Sequence, residues 1–351
     1  MKYGVQRARR GIVTKKICFS IFALLPFCLV VVGSDTEPPF KPTKSRLVRG
    51  RYLVEGVAHC FMCHSEVDQK TRLPISGKKG GGRFVKAEGR RTFDVTIPNI
   101  SPDIETGAGS WKDEDFVRVL RQGIGHDGRT LITMMPYRYF RNISDDDLAS
   151  IIVYVRSIAA VKNTLPKMVV PEEVAARSKP LPDPGRVPGP EMSDPVKRGQ
   201  YLVGMAQCAG CHTPKVNAVP IPGMEFAGGE VLRSHSGAHN TVASANLTPA
   251  GISMVASANL TRDPSGIPYY DPDMFVKTIR AGAVNGVRQL DSAMPWAYFK
   301  SMTDSDLKAI FAFLRSLKPV THRVDNDEPP TPCPLCGKTH GGGERNTAPA
   351  K

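Results

Sequence analysis

Cys60-Phe61-Met62-Cys63-His64 recurs in altered form as Cys208-Ala209-Gly210-Cys211-His212. Each pentapeptide has two thiols three positions apart and a histidine directly after the second. On one helical turn, residues three apart share a face, so both thiols can reach the two vinyl groups of one porphyrin. The adjacent imidazole then projects beneath the ring, where a nitrogen can bind iron. The spacing reads as covalent c-type haem attachment twice over, with Cys60, Cys63, Cys208 and Cys211 as attachment points and His64 and His212 as iron ligands. A pair of disulfides or a zinc site would leave the histidines and the repetition unexplained.

Repetition extends well beyond the two motifs. Arg49-Gly50-Arg51-Tyr52-Leu53-Val54 returns as Arg198-Gly199-Gln200-Tyr201-Leu202-Val203, and Asn99-Ile100-Ser101 as Asn259-Leu260-Thr261. From Trp111 to Ile158 the register holds at an offset of 159, pairing Phe116 with Phe275, Met135-Pro136 with Met294-Pro295, Ser144 with Thr303 and Asp147 with Asp306. The chain is an internal duplication, with units expected over 45–165 and 192–322. The second unit carries a small direct repeat, Val242–Thr248 copied as Val255–Thr261, read as a loop insertion. Seven prolines between 166 and 191 predict a stiff, extended linker. A Pro/Gly-rich tail follows from 323.

Helices dominate the pattern. Leu148, Ile151, Ile152 and Val155 form an i, i+3, i+4, i+7 stripe behind a Ser144 cap with Asp147 three residues on, and the second copy repeats it with Thr303, Asp306, Leu307, Ile310, Phe311 and Leu314. A middle helix carries Phe116, Val119 and Leu120, and a first helix runs through Gly50 or Gly199 into the haem motif. A glycine inside a helix costs ~1 kcal/mol against alanine, so its recurrence calls for a packing reason. A close crossing over Tyr154 or Phe313 in the last helix would supply one. No strand pattern competes, and the expected class is all-α.

Each unit resembles a class I cytochrome c domain, and the whole chain resembles bacterial periplasmic dihaem c-type cytochromes. The likeness rests on the haem motif, the first-helix glycine with its last-helix aromatic, and the late Met-Pro. It implies a few helices wrapped around one covalent haem in each unit, and methionine ligation opposite histidine: Met135 with His64, and Met294 with His212. Met134 aligns with Ala293, whereas Met135 aligns with Met294 and precedes the proline. A thioether filling the sixth position leaves iron nowhere to bind substrate and raises its potential relative to bis-histidine ligation. The resemblance thus implies an electron carrier with two haem c groups, not an enzyme; a dihaem peroxidase or sulfur-oxidising enzyme is the alternative. It further places Asn99, Trp111 and Asn259 against the haem. Carbonyls near Pro74 and Pro220 are the expected acceptors for the proximal histidines.

Composition frames the compartment and the partners. Residues 1–33 hold six basic side chains, no acid and an apolar run from Ile17 to Val32 broken by Pro26; taking those six charges from the formal +14 leaves +8. The run is short for a membrane span, so a secretory signal is expected, with an uncleaved anchor and membrane association as the alternative. An exported, periplasmic chain follows. Eight basic residues between Lys70 and Arg91 face the single acid Glu88 and make a candidate docking patch for an acidic redox partner. The expected partners are a dehydrogenase donor and an oxidase or cytochrome acceptor; nucleic acid is not among them. In the tail, Cys333-Pro334-Leu335-Cys336 is followed by His340 four positions later, which is wrong for a third haem. A local disulfide is the expected state there, with a metal site using His340 as the alternative.

Overall fold

A computed structural model describes residues 40–87, 92–234 and 253–347. The leader, the first copy of the Val242–Thr248 repeat, and Glu88, Arg90 and Arg91 lie outside the described residues. The first unit contains α1 (Lys44–Tyr52), α2 (Cys60–Cys63), α3 (Asp113–Gln122), α4 (Tyr137–Phe140) and α5 (Asp145–Ser157). After α6 (Glu172–Arg177), the second unit repeats the order as α7 (Pro195–Met205), α8 (Cys208–His212), α9 (Pro272–Ala281), α10 (Trp296–Phe299) and α11 (Asp304–Ser316). The all-α expectation holds for the elements that carry the core. Among the described residues there are also five two-stranded antiparallel ribbons, all in connections: β1 (Arg83–Val85) with β2 (Val95–Ile97), β3 (Lys215–Val216) with β4 (Val219–Pro220), β5 (Val231–Arg233) with β6 (Met254–Ala256), β7 (Ala283–Val284) with β8 (Arg288–Gln289), and β9 (Pro330–Pro332) with β10 (Thr339–Gly341). Strands of two or three residues are too short to show a period-two pattern in sequence.

The last helix of each unit forms for the reasons its sequence gives. The Ser144 hydroxyl accepts from Asp147 N at 3.3 Å and the Thr303 hydroxyl from Asp306 N at 3.1 Å, each cap contributing ~1 kcal/mol. The stripes Leu148, Ile151, Ile152, Val155 and Leu307, Ile310, Phe311, Leu314 are all buried in one continuous apolar core, each side chain contributing ~1.5–3 kcal/mol by leaving water. Asp147 and Asp306 do not reach back to complete a capping box. Their carboxylates turn to other donors, described below.

The first and last helices of each unit cross at the recurrent glycine. A Cβ on Gly50 would meet the Ser150 carbonyl oxygen and lie 2.5 Å from Tyr154 Cβ; one on Gly199 would meet the Ala309 carbonyl oxygen and lie 2.9 Å from Phe313 Cβ. Backbone therefore packs on backbone, and the aromatic lies over the gap, as the sequence requires. The two copies differ by one residue just after this point, with eight steps from Tyr52 to Cys60 but seven from Tyr201 to Cys208. The first copy absorbs the extra residue as a π-helical turn over Leu53–Val57, closed by Ala58 N donating to Leu53 O at 2.7 Å.

The connection between units is not the free extended strap its prolines predict. Pro171 opens α6, where Glu172 and Glu173 lie in the first turn and Arg177 in the last, the favourable polarity for a helix. The rest is tied to the first unit: Tyr137 donates to Lys179 O at 3.0 Å, Leu181 N to Gln122 O at 2.9 Å, and Asp145 N to Val187 O at 2.9 Å. The tail likewise folds back on the second unit, where the Asn326 side chain pairs with both Ala256 N and Ala256 O at 2.8 Å.

Two reciprocal contacts join the units. Asp147 accepts from Arg49 of its own copy at 2.7 Å and from Tyr201 of the other at 2.7 Å. Asp306 accepts from Arg198 of its own copy at 2.6 Å and from Tyr52 of the other. The same three residue types thus make the same exchange in both directions.

Candidate functional site

Each haem motif begins at a left-handed residue, His59 (φ 40°) or Gln207 (φ 59°), which turns the chain out of the preceding helix. The short helices α2 and α8 then present both cysteines of a pair on one turn. Burial pushes the Cys60 and Cys208 thiols up to about 12, with the neighbouring Cys63 and Cys211 adding to it. Burial also raises Cys63 and Cys211 themselves.

The histidines are held at two points each. His64 Nδ1 donates to Pro98 O at 2.9 Å and His212 Nδ1 to Ala258 O at 2.8 Å, which leaves each Nε2 lone pair for a ligand. The carbonyls expected near Pro74 and Pro220 are not the acceptors. The acceptor is instead the residue just before each Asn-(Ile/Leu)-(Ser/Thr) segment. The histidine backbone is fixed too: His64 O accepts from Gly82 N at 3.0 Å and His212 O from Gly228 N at 2.8 Å. Both glycines have positive φ (71° and 74°), and a Cβ on either would lie 2.5–2.6 Å from Asn99 N or Asn259 N. The signal that could have found them is a glycine run between each haem motif and its asparagine. Burial lowers both imidazoles and the carbonyl hydrogen bonds oppose it, so a neutral, ligating ring is the favoured form.

Asn99 and Asn259 spend their side-chain polar atoms on protein partners. Asn99 Oδ1 accepts from Ser101 N and Oγ, while Nδ2 donates to Val161 O at 2.7 Å and to Thr106 Oγ1 at 3.2 Å. Asn259 repeats this with Thr261, Val320 O and Ser265. With every polar atom engaged, the asparagine staples the histidine's carbonyl-bearing segment to the chain after the last helix. Trp111 packs between Phe116 (5.3 Å) and His126, stacking on the latter at 4.3 Å.

The methionines sit in identical turns. Met135 O accepts from Tyr137 N at 2.9 Å across Pro136 (φ −83°, ψ 47°), and Met294 O from Trp296 N at 2.8 Å across Pro295 (φ −77°, ψ 43°). This is an inverse γ-turn whose φ the proline presets. Met135 and Met294 are partly buried against the core that also receives Cys60 and Cys208, whereas Met134 is 50% exposed. Sequence reasoning missed the residues that cross between copies. Tyr298 of the second unit donates to Arg72 O at 2.7 Å and packs on His59, and burial and nearby Cys63 raise its phenol. Its register partner Tyr139 lies beside α8, 3.5 Å from where a Gly210 Cβ would sit, and burial followed by Cys211 and Cys208 raises it. Each haem motif is thus flanked by a tyrosine of the other copy. The basic loop is less bare than its composition, since Lys79 pairs with Glu55 at 2.8 Å and Lys78 with Glu66 at 3.6 Å.

A histidine locked behind a paired-thiol turn, built twice on one helical scaffold, defines a protein made for covalent haem. The cytochrome c family profile matches residues 47–159 and again 196–318. The chain therefore belongs to the cytochrome c family, whose domains hold haem c, with its iron, covalently. Among curated relatives it is 26% identical over 285 residues to the cytochrome c subunit of the quinone alcohol dehydrogenase of Gluconobacter oxydans (78% of this chain, 55% of the relative). It is 28% identical over 289 residues to the gluconate 2-dehydrogenase cytochrome c subunit of Pantoea cypripedii (77% and 59%). A diheme cytochrome c-type protein of Cereibacter sphaeroides is 28% identical over 172 residues (44% and 53%). The chain spans little more than half the length of these relatives.

Proposed function

We propose that this protein carries electrons through two haem c groups, taking them from a dehydrogenase and passing them to an oxidase or another cytochrome. Cys60 and Cys63 would hold one haem and Cys208 and Cys211 the other, each through a thioether made by adding S–H across a vinyl group. His64 and Met135 would ligate the first iron, and His212 and Met294 the second. The carrying observation is that both halves of each pair are preset in duplicate: Nδ1 anchored on a backbone carbonyl, and a Met-Pro turn with matching dihedrals. When bound, haem iron supplies one-electron chemistry between ferric and ferrous states. The chain's contribution is to fix both ligands, exclude water with the Leu/Ile/Phe core, and leave no open coordination position for substrate. Tyr139 and Tyr298, each reaching the other copy's motif, fit a path between the two groups.

The names of the relatives, cytochrome subunits of alcohol and gluconate dehydrogenases, support a dehydrogenase donor. The basic, then apolar, start of the sequence supports export to the periplasm, with the leader cleaved or retained as an anchor. Among the described residues no helix is long and apolar enough to cross a membrane. Replacing Met135 or Met294 with alanine tests the assignment. Each variant should bind carbon monoxide at one iron, lose half of the near-infrared charge-transfer band of His/Met haem, and show one lowered potential. Unchanged spectra and potentials in both variants would overturn it.

A further inference from the structure

The tail motif that resembles a haem site without being one forms a different centre. Cys333 and Cys336 are free thiols, 3% and 1% exposed, and they meet two buried histidines, His340 and His322. One ligand atom from each of the four lies within 4.8 Å of every other. His340 comes from β10, which pairs with the strand before Cys333, while His322 comes from the segment after α11. Sequence alone offers three of the four, because His322 stands eleven residues before the motif with nothing in its surroundings to mark it.

We propose that these four residues bind one zinc ion as a closed, tetrahedral Cys2His2 structural site. Three observations carry it. The sulfur-to-nitrogen separations are 3.4 Å for Cys333 Sγ and His322 Nε2, and 3.3 Å for Cys336 Sγ and His340 Nε2. Zinc bonds of ~2.3 Å to sulfur and ~2.0 Å to nitrogen, at the tetrahedral angle, put neighbouring ligands about 3.5 Å apart. Both imidazoles are already in the ligating tautomer, since His322 Nδ1 donates to Ala227 O at 2.9 Å and His340 Nδ1 to Gly341 O at 3.1 Å, leaving both Nε2 atoms aimed at the sulfurs. Charge also balances: two thiols release their protons to solvent, and two thiolates with one divalent cation make a neutral buried unit. The Cys333–Gly337 turn is built to present both sulfurs on one side. Cys333 N donates to Lys338 O at 2.8 Å and Gly337 N to Cys333 O at 2.9 Å, with Gly337 in the left-handed region at φ 66°.

Its place in the fold gives it a role. Cys333 and Cys336 join Met224 and Ala227 in a small apolar cluster separate from the main core. Ala227 precedes Gly228, which holds the His212 carbonyl, and His322 O accepts from Asn259, the staple of the His212 segment. The ion would clamp the tail onto the backbone that positions the second proximal histidine. A local Cys333–Cys336 disulfide, the expectation from composition, would leave two buried Nε2 atoms without a partner.

The test uses the full-length holoprotein, purified without chelator or histidine tag. Elemental analysis should give one zinc per chain alongside iron, and zinc-edge X-ray absorption should show two sulfur and two nitrogen neighbours, a signal to which haem contributes nothing. Cys336→Ser should reduce zinc below a tenth of that value with iron content retained. Absence of zinc after growth in zinc-supplemented medium, a mass two hydrogens light from a tail disulfide, or an all-oxygen shell would overturn the proposal. The unmodified protein suffices, so a variant that fails to fold does not blunt the result.

Discussion

Gly199 and Gly204 lie in the same helix, α7, yet replacing each with alanine should move stability in opposite directions. At Gly199 a Cβ would collide with the Ala309 carbonyl and sit 2.9 Å from Phe313 Cβ, while at Gly204 it meets nothing within 4 Å. Alanine gains ~1 kcal/mol of helix propensity at either position. At Gly199 the helices must separate, and overpacking costs ~1–3 kcal/mol, occasionally more. Here the obstacle is backbone, which cannot rotate aside as a side-chain tip can, so the upper end applies and the net is a loss of about 2 kcal/mol. At Gly204 the propensity gain stands unopposed, within ~0.5–1 kcal/mol. Thermal unfolding of the holoprotein, followed by far-ultraviolet circular dichroism, reads both, at roughly 2–4 °C per kcal/mol. Gly199→Ala should melt several degrees lower and Gly204→Ala one to a few degrees higher. A Gly199→Ala protein as stable as the parent would refute the crossing as the reason for the glycine, and equal losses at both sites would refute the packing argument altogether.

Tyr201→Phe should cost ~1–2 kcal/mol in urea unfolding, because it removes one donor to Asp147, which keeps Arg49, and leaves Ser144 N without its acceptor; Tyr52→Phe should do the same through Asp306 and Thr303 N, and the double variant should split one unfolding transition into two. His59 is buried and neutral, its imidazole pushed down to about 4 by burial. The unfolded chain takes up that proton first as pH falls below 6.5, so stability present above 6.5 is lost progressively down to about 4, to a total of ~3 kcal/mol. His59→Gln, which installs the second copy's residue, should flatten that slope in a pH series of melting curves; an unchanged slope would show the proton goes elsewhere. Burial alone would raise the Glu55 carboxyl, but hydrogen bonds from Lys79 and Tyr154 outweigh it and hold it below its ordinary 4.5. Its contribution is therefore present above that value and disappears as pH falls through the lower folded one, and Glu55→Gln should lose stability at pH 7 with a shallower acid limb.

What the sequence shows and what it hides follow a physical division. Contacts near in sequence leave periodic or positional marks: the Leu148 and Leu307 stripes, the Ser144 and Thr303 caps, and the Cys-x-x-Cys-His turns all appear where they were read. The recurrent Gly50 and Gly199 could be interpreted because a helix tolerates glycine only for a reason. Contacts made across copies leave no such mark. Tyr298 reaching Arg72 and Tyr201 reaching Asp147 depend on how two units dock, which periodicity does not encode. The stapling role of Asn99 and Asn259 left no mark either, because their backbone partners Val161 and Val320 lie far along the chain, beyond the last helix of each unit. His322 was hidden for the same reason as the tyrosines, since its partners lie on a hairpin that returns from beyond it.

The duplication also explains why the two copies are not interchangeable. Both keep the parts that orient a histidine and a methionine, down to the dihedrals of the Met-Pro turns. They diverge in what surrounds those parts. The first copy takes one additional residue as a π-helical turn, places Glu55 there against Lys79 and Tyr154, and sets a buried neutral histidine before its motif. The second has glutamine at that point and instead packs the tail, with its four buried donors, behind its proximal histidine. A bound group's potential responds to nearby charge, hydrogen bonding and solvent access, so under the proposed function these differences in surroundings would set the two potentials apart without touching the ligands, and duplication followed by divergence outside the shared geometry is a direct route to that.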